Sequence, residues 1–244
     1  MFDRAIIDAI KEHAASSLDR EVCGLVTAAG YEPQENRHPE PEMNFEMGRE
    51  AAERIAAGEV LAVVHSHTER GYDHPSIMDQ EQALAMAVPW GLCIIRGGTP
   101  SEPFFWGEGV PPQPFLPRDF RWGPEGTDGR GDCFALVRAW YAARRGLVIP
   151  DVPRDETWES EMPDAYVLGW QRAGFQRVPI TDLQPGDGVL MAINSRRAAP
   201  NHAGIYLGDE MILHHLLNRL AERTPIGFLH RSIVACLRPP EVAP

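Results

Sequence analysis

The sequence predicts two bodies in tandem, an α/β body followed by an α+β body. Three observations carry that reading. Helical and strand-type segments alternate up to Arg96, six prolines then crowd between Pro100 and Pro117, and one strong helix followed by strand-like segments makes up the rest. A chain of 244 residues that is 43% hydrophobic has material for two cores.

In the first body, Phe2, Ala5, Ile6, Ala9 and Ile10 fall at the spacing of one helical face, which predicts a helix over Phe2 to Leu18. Val22 to Thr27 is a short apolar run that suits a buried strand. Glu50 to Ala57 reads as helix, and Val60 to His65 as a second strand dense in valine. Pro75-Ser76 opens a capped helix over Ile77 to Val88, Gly91 to Arg96 is again strand-like, and Phe104-Phe105-Trp106 fits a last edge strand. The prolines put the boundary at Val110 to Pro117, giving a domain over 1–110, a stiff Pro-rich linker over 111–118 and a second domain over 119–244. That domain opens with Gly-rich turns from Trp122 to Gly131 and continues as a helix from Cys133 to Arg145. Strand-like segments follow at Asp187 to Ile193, His202 to Leu207, Met211 to His215 and Ser232 to Leu237.

A net charge of −12 with a single lysine argues against a nucleic-acid partner, because phosphate attraction needs a surplus of positive charge. No window reaches the roughly 18 apolar residues of a membrane span, so stable membrane insertion is not expected. Met1-Phe2-Asp3-Arg4 does not begin an export signal, which predicts synthesis in the cytoplasm. Four scattered cysteines, Cys23, Cys93, Cys133 and Cys236, predict reduced thiols rather than a disulfide framework.

Two places carry chemistry. The first is His65-Ser66-His67 at the end of a strand, where side chains repeat every second residue and both imidazoles leave the same face. Asp79, one turn into the next helix, can supply a third ligand and leave a fourth position of a tetrahedral zinc site to water. Glu21 is the candidate base for that water, and Ser76 can steady an oxyanion. Ser76-Ile77-Met78-Asp79 also reads as a capping box with no further role, and His74 is either a rival ligand or a loop histidine.

Glu21-Val22-Cys23-Gly24-Leu25, His65-Ser66-His67 and Ser76-Ile77-Met78-Asp79 together resemble the JAMM/MPN-plus metalloprotease family over roughly the first 110 residues. The resemblance implies zinc on His65, His67 and Asp79, with Glu21 as general base and Ser76 as oxyanion stabiliser. Thr68 stands where that family often has proline, and the loop to Ser76 is one residue longer than usual.

The second place is Asp132-Cys133-Phe134-Ala135, which sets a thiol on the first turn of a helix. Unpaired N–H groups there favour an anion and predict a lowered thiol pKa. His202, opening its strand, is the candidate base. The orienting group would come from the hairpin return: a three-residue loop over Gly208 to Glu210 selects His214, a two-residue turn His215.

Asp132-Cys133-x-x-Leu136-Val137, with His202-x-Gly204-Ile205-Tyr206-Leu207-Gly208, resembles the NlpC/P60 cysteine peptidases over about Asp119 to Pro239. The resemblance implies Cys133 as nucleophile, His202 as base and His214 as the third residue. Phe120 stands where many members carry a tyrosine whose hydroxyl reaches the site.

In this order, the two domains resemble the tail tip assembly family of long-tailed, lambda-like phages. That resemblance implies a virion tail tip peptidase, made in the host cytoplasm and acting in the cell envelope on peptidoglycan, with other tail tip proteins as partners. The alternatives are a structural tail component with one or both sites idle, and a bacterial isopeptidase of ubiquitin-like tags.

Overall fold

The computed structural model describes residues 1–157, 165–195 and 199–241. The chain divides into two compact units, Met1–Pro111 with Gly126–Asp128, and Pro112–Glu125 with Gly129–Pro244.

The first unit runs α1 (Arg4–Ala15), β1 (Cys23–Thr27), β2 (Gly30–Gln34), α2 (Arg49–Ala56), β3 (Val60–His67), α3 (Ile77–Met86), β4 (Trp90–Arg96), β5 (Thr99–Pro100) and β6 (Phe104–Trp106). Asp3 starts α1 by accepting the Ile6 N–H at 3.0 Å. The strands form one sheet in the order β2-β1-β3-β4-β5, with β6 also paired to β4. β3 and β4 are parallel. Ile10 and Ala14 of α1 pack on one face with Val26, Ala62, Val64 and Ile95. Ala51 and Ile55 of α2 and Ala83 of α3 pack on the other with Leu25, Val63, Leu92 and Trp90. β3 is thus covered on both faces, which is why its sequence reads as an unbroken apolar run. It extends through His67, and its alternation turns His65 and His67 to the α2/α3 face with Val63. β2 was not expected from the sequence, since Pro33 argues against a strand; it is tolerated because β2 lies at the sheet edge.

The second unit contains α4 (Cys133–Arg145), α5 (Ala165–Arg172), β7 (Gln176–Val178), β8 (Gly188–Met191), β9 (His202–Gly208), β10 (Met211–His214), β11 (Glu222–Pro225) and β12 (Ile233–Arg238). Its sheet is antiparallel, in the order β11-β10-β9-β8-β12-β7. α4 packs Phe134, Leu136, Val137 and Tyr141 against Leu190, Ala203, Ile205 and Leu213. The α/β plus α+β class expected from the sequence is the one observed. α5, β7 and β11 were not foreseen. β7 and β11 are only three and four residues long, too short for period-two alternation to register.

The Pro-rich segment read as a spacer belongs to the second unit from Pro112 onward. Phe115 packs against its core, and the buried Arg118 donates to Glu125 Oε1 at 2.7 Å and to the Pro114 carbonyl at 3.1 Å.

The start of α4 is fixed by a buried ion pair. Asp132 caps the helix through Ala135 N–H, and Arg154 donates to both of its oxygens, Nε to Oδ2 at 2.6 Å and Nη2 to Oδ1 at 3.0 Å. Arg154 Nη1 also donates to Asp151 Oδ1, and Nη2 to the Gly123 carbonyl. Replacing Arg154 by methionine strands a buried carboxylate, which costs about 3–5 kcal/mol. The urea midpoint of unfolding should fall accordingly; an unchanged midpoint would contradict this role for the pair.

Candidate functional sites

The first unit gathers the predicted ligands. His65 Nε2 and His67 Nε2 lie 3.3 Å apart, Asp79 Oδ1 is 3.3 Å from His65 Nε2, and Asp79 Oδ2 is 3.5 Å from His67 Nε2. All three side chains are buried, and they form the one such His/Cys/Asp/Glu group among the described residues. β3 supplies both imidazoles through its alternation, and α3 supplies the carboxylate from its first turn. His67 Nδ1 donates to the Tyr72 carbonyl at 2.8 Å, which fixes the tautomer and leaves the Nε2 lone pair aimed at the centre. His65 stacks on Phe45 with ring centroids 4.6 Å apart.

Glu21 joins the cluster, its Oε1 3.9 Å from His67 Nε2. Burial raises the Glu21 carboxyl, against the opposing pull of His65 and His67. Burial acts the same way on Asp79, but there the two histidines, His65 first, outweigh it and hold the carboxyl well below its usual value. Two carboxylates among two imidazoles in a buried site fit a divalent cation, because buried charges persist when paired or coordinated. Two imidazole nitrogens and one carboxylate oxygen are a donor set suited to zinc.

The capping-box reading of Ser76 holds. Its hydroxyl accepts the Asp79 N–H and donates to Asp79 Oδ2 at 2.8 Å, and its own N–H donates to the same oxygen, forming a capping box. The cap leaves Asp79 Oδ1 facing His65. His74 stands outside the ligand group and contacts Asp73 and the Tyr72 ring. A cavity of about 370 Å³ opens beside the cluster, lined by Glu21, His67, Ser76 and Asp79 on one side and by Phe45, Met47, Ile55, Met78, Met86 and Trp90 on another.

In the second unit, His202 Nε2 lies 3.0 Å from His214 Nδ1, and His214 Nε2 lies 3.0 Å from Thr224 Oγ1. The turn joining β9 and β10 has two residues, Asp209 and Glu210, both with positive φ as such tight turns require. Turn length alone would therefore select His215. A bulge reverses the parity: Gly208 pairs with Met211 but Tyr206 with Ile212, so Leu207 is the extra residue and His214 shares the face of His202. His215 is turned away, with Nε2 at the Arg219 carbonyl and its ring against Phe120. Gly204 is required where it stands, because a Cβ there would lie 2.8 Å from the Leu213 carbonyl oxygen.

Cys133 sits at the start of α4, facing β9. The backbone of Ala203, next in the chain to His202, is a polar neighbour that favours its thiolate. The hydrogen bond of the sulfur goes to Tyr166 Oη at 3.1 Å, and none of the described hydrogen bonds joins it to His202. The expectation of a lowered thiol pKa is corrected: burial, and then the Asp132 carboxylate, push it up to about 11. Asp132 occupies the helix terminus as its cap, so the pull of the N–H groups is already spent on a carboxylate. Cys23 and Cys93 are pushed up too, to about 12 and about 11, by burial.

Burial, with His214 and His215, lowers His202 to about 3, against an ordinary 6.5. The imidazole is thus neutral at pH 7. An unfolded chain takes up this proton near pH 6.5 while the folded one holds out to about 3. Stability is therefore complete above pH 6.5 and falls as pH drops, by up to ~1.4 kcal/mol per unit. His214 and His215, also lowered by burial, act in the same direction. The urea midpoint of the second unit should be lower at pH 5 than at pH 7; a midpoint that rises instead would contradict the burial of neutral His202.

Sequence reasoning missed Tyr166 and Thr224. Neither lies in a motif, and β11, which carries Thr224, was not visible as a strand. Phe120, by contrast, supplies no hydroxyl and packs on Trp122 and His215.

These two sites define a class, a JAB-type domain followed by an NlpC/P60-type cysteine domain. Residues 3–107 match the prokaryotic homologs of the JAB domain, and residues 117–228 match the NlpC/P60 family. Tail tip assembly protein K of Escherichia phage N15 is 33% identical over 237 residues, which cover 91% of this chain and 88% of that protein. The protein of the same name from Escherichia phage lambda is 31% identical over 171 residues, covering 68% of this chain and 74% of the relative. The chain belongs to the tail tip assembly protein K family. Among solved structures, NlpC2 of Trichomonas vaginalis aligns at a TM-score of 0.39 and 17% identity, over 50% of this chain and 41% of that one. No described helix is long and apolar enough to cross a membrane.

Proposed function

We propose that this chain is a tail tip peptidase with two hydrolytic sites, carried on the virion tail and acting in the host cell envelope. The observation that supports it is the alignment of His202, His214 and Thr224 on three neighbouring strands, in a unit whose α4 opens with Cys133 and in a chain whose relatives are tail tip proteins. His202 takes the Cys133 proton as the sulfur attacks a peptide carbonyl in the peptidoglycan stem or cross-bridge. It then returns the proton to the leaving amine, and water resolves the thioester. His214 holds the imidazole in register, with Thr224 behind it.

In the first unit, His65, His67 and Asp79 would hold zinc, and the chemistry such an ion supplies is Lewis-acid activation of water and of a carbonyl oxygen. Glu21, raised by burial, collects a proton, and the Ser76 hydroxyl steadies a developing oxyanion by redirecting the hydrogen bond it gives Asp79 Oδ2 in the cap. The substrate of this site is an amide or isopeptide bond, in a tail protein during assembly.

Turbidity loss of purified peptidoglycan under the intact chain tests the cysteine site. The buried thiol favours one competing reading, a docking component whose cysteine is idle. That reading gains if the wild-type chain leaves turbidity unchanged.

A further inference from the structure

We propose that Tyr166 is a catalytic hydroxyl of the cysteine site, donating a hydrogen bond to the Cys133 sulfur and holding the thiolate as His202 takes the thiol proton. The inference rests on the cysteine-peptidase reading above and adds a residue to it. Its basis is geometric. Tyr166 Oη and Cys133 Sγ lie 3.1 Å apart in a site where the two residues are only 6% and 7% exposed. In that seclusion water does not supply the donor an incipient thiolate needs.

The hydroxyl is held from two directions. Tyr166 and Trp170 are four residues apart in α5 and so share a face. Trp170 is buried edge-on against Phe175, with centroids 4.3 Å apart, and against Tyr141 at 6.0 Å, which locks the helix to the core. From the other side the Phe134 ring meets the Tyr166 ring edge-to-face at 5.8 Å, and the Arg154 guanidinium lies 4.9 Å over Phe134. The aromatic ring is thus clamped, and its oxygen is presented to sulfur without further reorganisation. Burial, followed by the neighbouring thiol and Asp132, raises the phenol well above its ordinary range, so the group remains a proton donor throughout the working pH range.

The proton balance closes without an additional reactant. The thiol proton passes to His202, the S–C bond forms, and the C–N bond breaks as His202 protonates the amine. Water then hydrolyses the thioester and restores the thiol, and Tyr166 keeps its own proton throughout.

The test is the rate of Cys133 alkylation by iodoacetamide in the full chain across pH 6 to 10, with the adduct located by peptide mass spectrometry. A hydrogen bond to the charged form favours it, so Tyr166→Phe should slow alkylation by ~10-fold throughout this range, which lies below the thiol's pKa of about 11. Site-specific 3-fluorotyrosine at position 166, nearly isosteric and a stronger donor, should shift the profile the other way, and it keeps the test open if the phenylalanine variant does not fold. Profiles that coincide with wild type, or faster alkylation of the phenylalanine variant, overturn the assignment. Alkylation needs no substrate. Both shifts in a chain that leaves peptidoglycan intact would therefore remove the substrate assignment and retain Tyr166.

Discussion

Cys133→Ala should reduce peptidoglycan hydrolysis to background, at least about 10³-fold below wild type, a floor well under the roughly 10⁶-fold that loss of a triad nucleophile costs. The reason is the isolation of the site. The other three cysteines lie in strands β1, β4 and β12, away from the start of α4, so none can substitute. His202→Ala should be comparably severe, because His214 faces the His202 ring and Thr224 rather than the sulfur. His214→Ala should cost less, up to about 10⁴-fold, the scale expected for a residue that acts by orienting the base. The assay is initial turbidity loss at fixed enzyme concentration. Equal lysis by Cys133→Ala would remove the hydrolase reading from the second unit.

The second large effect concerns metal. Wild-type protein purified without chelator should carry one zinc per chain, and His65→Ala should carry none, because two remaining ligands do not make a stable site. Glu21→Gln provides the internal contrast. Glu21, the proposed base, lies 3.9 Å from His67 Nε2 and outside the ligand group, so this variant should keep its zinc and lose only hydrolysis. Zinc lost from Glu21→Gln, or absent from wild type, would contradict the division of roles. Asp79→Asn is the poorer choice of variant, since Asp79 also accepts the Ser76 N–H and hydroxyl that start α3.

The first site was legible because its geometry is local. Period two puts His65 and His67 on one face, and a capped helix start returns Asp79 to them, so spacing alone carries most of the arrangement. In the second unit the pairing of His202 with a hairpin histidine was legible but not its details, and no described hydrogen bond joins that pair to Cys133. The choice of His214 over His215 depends on a bulge at Leu207, and no feature of the sequence announces where a ladder will slip by one residue. The rise in the Cys133 pKa was hidden for a related reason. Helix position was visible, whereas burial and the Arg154-held Asp132 carboxylate are products of tertiary packing. Tyr166 was hidden because it reaches the sulfur from 33 residues away, on a helix whose eight residues gave no periodic signal.

The identity of the bond that is cut bears on all of this at once. Mass spectrometry of the soluble fragments released from purified peptidoglycan by the intact chain reads that bond. The Cys133-His202-His214 assembly predicts fragments with new amino and carboxyl ends within the peptide portion, released by wild type and missing with Cys133→Ala. Fragments cut only in the glycan strands, or peptide cuts that persist in Cys133→Ala, would contradict it.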